Sequence, residues 1–178
     1  MGRDLETAFA DAPIGRDRDQ FLREFVRELS GTLERVVGID QAAGFMSTVG
    51  GRIGRLMNEE YRSHAGCAQM NREQVAAALV DLKRRIEGGF SVTSITDDAI
   101  VLQNRVCPFG DQVRGRPSLC MMTSNIFGKI AAENLGYARV ELAETIAAGD
   151  GGCRVIIHLE PVEGAEIDVG REYFAEEG

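Results

Sequence analysis

Three cysteines stand where turns meet regular structure. Cys107 closes one apolar run, Cys120 falls in the first turn of a helix-periodic segment, and Cys153 opens another apolar run. Side chains so placed can converge from different elements, and converging thiolates hold a soft metal or an iron–sulfur centre. Twelve residues and then thirty-two separate them, which is not the C-x-x-C spacing of a zinc knuckle. A plainer reading therefore stays open: free cysteine is among the most buried residue types and often only fills space. A third reading makes Cys120 a nucleophile, its thiolate favoured by the helix N-terminus, with Cys107 to resolve it. Cys67, three residues after His64, could complete a site. Arg114 and Arg116 beside Asp111 could meet an anionic ligand. The second histidine, His158, points away from the apolar side of its strand. Two histidines are too few to favour a histidine-based metal site or a Ser-His-Asp triad.

The elements that must position these residues follow from periodicity. A helix is expected from Asp17, capped with Gln20, and its stripe of Phe21, Leu22, Phe25, Val26, Leu29, Leu33, Val36 and Val37 is expected to face the core. A second runs from Asp40 to about Ser63. Its glycines, Gly44, Gly50, Gly51 and Gly54, lack the strand and G-K-S/T context of a phosphate loop and point to close helix packing. A third begins at Asn71, capped with Gln74, and ends at Gly88-Gly89. Phe90–Thr96 and Ala99–Val106 read as a hairpin. After the loop CPFGDQVRGRPSLC, Ser118 is expected to cap a fourth helix that Gly136 ends. Tyr137–Ala147 and Cys153–Glu160 form a second hairpin, with Cys153, Val155, Ile157 and Leu159 on one face. The expectation is an α+β fold: N-terminal helices on a mainly antiparallel sheet of about four strands, with a further helix between two hairpins. Residues 1–16 are expected to be a mobile tail, 17–160 a single domain, and 161–178 an acidic C-terminal tail.

The segment CPFGDQVRGRPSLC, the helix ending in ENLGY, and ETIAAGDGGCRVIIHL together resemble the methanogen output domain, a relative of the 4-vinyl reductase domains. Those domains share an α/β fold with a subunit family of the vesicle-tethering TRAPP complex. The resemblance is strongest over residues 104–159, and the helices from 17 to 87 suit the family's N-terminal part. It implies a bacterial or archaeal sensing or output module that forms homodimers. The cysteine layout is also similar to the C-terminal half of the Suf-operon repressor, whose cysteines hold a 4Fe–4S cluster. That likeness implies roles for Cys107, Cys120 and Cys153. Where it expects a fourth cysteine, this chain has Asn134, so a fourth ligand would come from Cys67, His64, Asn134, a partner chain or a small molecule. The repressor's winged helix has no counterpart here.

Composition sets the outer limits. The 178 residues are 44% apolar and 27% charged, and one domain of that size buries a core without disulfide staples. A net charge of −8 argues against nucleic acid as a partner. Of twenty basic residues only Lys83 and Lys129 are lysines, a bias read as genome composition. The sequence has no apolar run long enough for a membrane span and no signal-peptide core, so a cytoplasmic protein with reduced thiols is expected. The reading is a non-catalytic sensory or regulatory domain. Its input would be a small ligand, a metal such as zinc or an iron–sulfur centre near the three cysteines, or it would carry no cofactor. A thiol-redox protein and an interaction module of a signalling system, with a histidine kinase or response regulator as partner, are the alternatives.

Overall fold

A computed structural model describes residues 12–13, 15–161 and 169–175. Three helices come first: α1 (Arg18–Val37), α2 (Ile39–Ala65) and α3 (Arg72–Arg85). The Asp17 side chain accepts from the Gln20 amide, and Asn71 and Gln74 form a reciprocal capping box, so both expected starts hold. Strands β1 (Phe90–Ile95) and β2 (Ala99–Asn104) follow, then a 3-10 turn over Gly110–Val113. The long helix α4 (Pro117–Leu135) comes next. After it run β3 (Tyr137–Glu144), a second 3-10 turn (Ile146–Ala148), β4 (Cys153–His158) and β5 (Arg171–Phe174). The strands form one antiparallel sheet in the order β1-β2-β4-β3-β5. No helix among the described residues is long and apolar enough to cross a membrane.

The helices cover one face of that sheet. Ile100, Leu102, Val140, Val155 and Ile157 point inward against Val75, Leu79, Phe127 and Ile130 of α3 and α4. The glycines of α2 explain how it sits on α4. A Cβ at Gly50 would come within 2.9 Å of the Asn125 Cβ, and one at Gly54 within 3.1 Å of the Lys129 Cβ. Gly44 and Gly51 have open space beside them, so the close approach is one-sided. Close helix packing, as expected, is the role of Gly50 and Gly54, while Gly44 and Gly51 have no such contact.

Three expectations change. The stripe of α1 faces solvent: Phe21, Leu22, Phe25 and Leu29 are all exposed, and what the helix buries is Ser30 and Gly31. The Ser30 and Ser118 hydroxyls share a buried hydrogen bond, which turns the polar side of α1 toward α4. Ser118 is therefore not a cap; α4 starts at Pro117, with Arg116 before it, as suits proline in a helix's first turn. Finally, Arg171–Phe174, expected in an acidic tail, adds a fifth strand beside β3. Tyr173 lies in the space Gly128 leaves by having no side chain, and its hydroxyl shares a hydrogen bond with Ser124. Most of the tail expected over 1–16, and Glu163, Glu166 and Asp168, lie outside the described residues.

Candidate functional site

Two turns carry the cysteines toward one another. Gly88 donates to the Lys83 carbonyl at 2.7 Å, and a Cβ there would meet Pro108 at 3.0 Å. The bare turn thus lets the Cys107-Pro108 loop pass over the end of α3. Across the sheet, a Cβ at Gly152 would stand 2.5 Å from the Asn104 carbonyl oxygen. Only glycine lets the β3–β4 connection pass that close, and Cys153 follows at once.

Cys107, Cys120 and Cys153 consequently line one small cavity of about 30 Å³ with Lys83, Phe90, Asn104, Thr123 and Val155. Its share of space suits about one water molecule. The Ile146 amide donates to the Cys153 sulfur at 3.5 Å. Cys153 also joins the main core to a second, smaller cluster built on Val113, Leu119, Ile146 and Ala147.

The group that faces the thiols is an ammonium. Lys83 is 4% exposed, on the inward face of α3 two turns after Val75 and one after Leu79. Its Nζ donates to the Thr123 Oγ1 at 2.8 Å and lies 5.7 Å and 5.3 Å from the ring centres of Phe90 and Phe127. Burial pulls its pKa down to about 8, partly countered by the three cysteines. The Asn104 amide donates to the Val106 carbonyl, but its buried Oδ1 has no partner among the described residues.

Burial also raises the pKa of all three thiols. Cys120 is pushed up to about 12, so at neutral pH it is a thiol and not a thiolate. Desolvation thus outweighs the helix N-terminus at Cys120, which does not favour its reading as an activated nucleophile.

The other sequence candidates stand elsewhere. Asn134 is fourteen residues beyond Cys120 on the same helix, about 21 Å along its axis. It is buried and spoken for, accepting from the Met70 amide and donating to Asn58 Oδ1 and the Ile130 carbonyl. Cys67 packs against the core near Met70, and His64 lies in an exposed groove with Tyr61 and Asp81. Arg114 pairs with Asp111 on the surface, and Arg116 approaches Glu34 at 4.0 Å. His158 meets Glu141 at 3.1 Å on the outer sheet face. Among the described residues no three His, Cys, Asp or Glu groups stand as a metal ion requires. With three thiols, no fourth protein ligand among the described residues and an ammonium facing them, the arrangement does not fit a metal or an iron–sulfur cluster. Lys83, Asn104 and Thr123 were not among the sequence candidates for the site; the one positional signal for Lys83 was its place on the apolar stripe of α3.

Residues 25–158 match the family described as methanogen output domain 1. No curated protein matches the chain. Among solved structures, the fold is similar to the phenol-responsive sensory domain of the transcription activator PoxR, determined with phenol. That likeness has a TM-score of 0.62 at 12% identity and covers 76% of this chain and 73% of that one. A trafficking protein particle complex subunit 3 from Naegleria fowleri, covalently bound to palmitic acid, is similar at a TM-score of 0.55 and 13% identity. There the match covers 80% of this chain and 97% of the other. At such identities the likeness is one of fold.

Proposed function

The chain belongs to the methanogen output domain 1 family, and from that premise we propose that it is a non-catalytic sensory domain whose input is a small molecule held at the Lys83–cysteine pocket. One observation carries the reading: three thiols, an ammonium without a carboxylate partner among the described residues and an unsatisfied amide oxygen belong to side chains that line one small cavity. A small guest that accepts from Lys83 and donates to Asn104 would satisfy both. The similar fold of a phenol-responsive domain supports this reading, as does that of a subunit carrying palmitic acid.

Two probes test it. Formamide has the required acceptor and donor; methanol is smaller and carries both on one hydroxyl. At least one is expected to raise the melting temperature of the wild-type chain and to leave Cys120→Met unmoved, because the longer side chain fills the cavity. Two results would overturn the reading. One is no shift with either probe. The other is stoichiometric metal and thiolate-to-metal absorption in anaerobically purified protein, which would put an inorganic centre at the thiols.

The output would pass through a second copy of the chain. Phe21, Leu22, Phe25 and Leu29 on α1, with Phe45, Val49 and Leu56 on α2, are large apolar side chains left exposed. Symmetric homodimers are the commonest way for a soluble protein to cover such a face. Light scattering is expected to report a dimer at micromolar concentration, and Phe25→Asp a monomer with unchanged helix content. A monomer-sized wild-type particle across that range would remove the dimer.

A further inference from the structure

The chain holds only two lysines, and both are buried, Lys83 at 4% and Lys129 at 7% exposure. Their surroundings differ. Lys129 forms an ion pair with Glu133 at 2.7 Å. Lys83 has no carboxylate partner among the described residues; a threonine hydroxyl and two ring faces surround it. Everywhere else the chain uses arginine for positive charge. Arginine cannot shed its proton in a protein, whereas a desolvated lysine can, and a neutral amine is a nucleophile toward carbonyl carbon.

The geometry points to Lys83 as a carbonyl-capturing amine: an aldehyde of one or two carbons enters the pocket and condenses with Nζ as a reversible imine. This rests on the reading of the pocket as the input site. Size selects the guest, since the cavity takes about one water's volume and the imine carbon is joined directly to Nζ.

The step balances without an oxidant. Lys83 first releases a proton to water. The Nζ lone pair attacks the carbonyl carbon, forming a C–N bond, the carbonyl electrons move to oxygen, and one Nζ proton passes to that oxygen to give the neutral carbinolamine. The carbinolamine hydroxyl can donate to the Asn104 Oδ1, a buried acceptor without a partner among the described residues, and it leaves as water, carrying the second Nζ proton, when the C=N bond forms. Thr123 holds Nζ in place throughout. Because burial brings the lysine to about 8, roughly a tenth of it is neutral at pH 7, some 200-fold more than for an ordinary lysine. The same burial keeps Cys107, Cys120 and Cys153 as thiols, so they do not compete as thiolates for the aldehyde.

The test uses the whole folded chain, one equivalent of acetaldehyde and cyanoborohydride, with peptide mapping by mass spectrometry. Lys83 is expected to gain the reduced ethyl group at least tenfold faster than Lys129. Cys120→Met, which fills the pocket, should lower that ratio at least fivefold, and in urea the two lysines should react alike. Equal labelling in the folded chain, or a ratio unchanged by Cys120→Met, would overturn the proposal. If formamide or methanol still shifts the melting temperature in that case, the aldehyde reading falls alone; if neither does, the input site falls with it.

Discussion

Phe127→Ala is expected to destabilise the domain by about 3–5 kcal/mol in chemical denaturation. The residue is fully buried at the middle of α4, inside the cluster that joins α3, α4 and the inner sheet face. Its ring stands edge-on to Phe90 at 5.5 Å and 73°, so truncation removes an aromatic pair as well as filled volume. The same ring forms one wall around the Lys83 ammonium. A cavity there would leave that charge with one ring fewer, which places the expected loss toward the upper end. A loss below about 1 kcal/mol would mean that α4 is rotated from the position described. Phe25, given the same burial in the sequence reading, is 56% exposed and has no such role.

That contrast shows what a periodic pattern carries. The stripe of α1 announces a helix with one apolar face, and the helix forms. Periodicity says nothing about which surface covers the face. Here Ser30 and Ser118 turn it outward. The starts of α1 and α3 were legible because a cap is a local event among four residues, Asp17 to Gln20 and Asn71 to Gln74. The inward alternation of Val155, Ile157 and Leu159 was legible for a similar reason. Strand β5 was not. Its acidic neighbours hid a short alternation in which Glu172 bonds the Tyr137 hydroxyl outside while Tyr173 goes in against Gly128. A bare glycine in the middle of α4 was the available signal, and it needs the partner strand to be understood.

The site divides in the same way. That the cysteines flank turns was visible in the sequence, and the structure brings three of them to one cavity. The fourth position was chosen by likeness to a cluster-binding pattern, and the helix itself separates Asn134 from Cys120 by about 21 Å. Lys83 was set aside with the arginine bias of the chain. Its meaning depends on Phe90, Thr123 and Phe127, which lie 7 to 44 residues away in sequence.

Lys83→Met is therefore expected to stabilise the folded domain by about 1–3 kcal/mol at pH 7, as replacing a buried, uncompensated charge by an apolar group of similar length does. The ammonium keeps one hydrogen bond and two ring faces, which offset part of its desolvation. Without it, the Thr123 hydroxyl can turn to a carbonyl one turn back. The pH dependence follows from the direction of the shift. The unfolded lysine titrates near 10.5 and the folded one near 8, so below pH 8 both states are protonated and the full penalty is present. Between about 8 and 10.5 the folded chain sheds the proton first, and wild-type stability rises relative to the variant. The cysteines act in the opposite sense. Their folded pKa values lie above the ordinary 9.0, so above that pH the unfolded chain loses thiol protons first and stability falls. Both proteins carry these thiols, so the difference between them isolates the lysine. Denaturation curves at pH 7, 8.5 and 10.5 should show the methionine variant's advantage largest at pH 7 and nearly gone at 10.5. An advantage that does not shrink with pH would mean the effect is packing alone. A variant less stable than wild type at pH 7 would mean that the folded state compensates the ammonium more fully than one hydroxyl and two rings can.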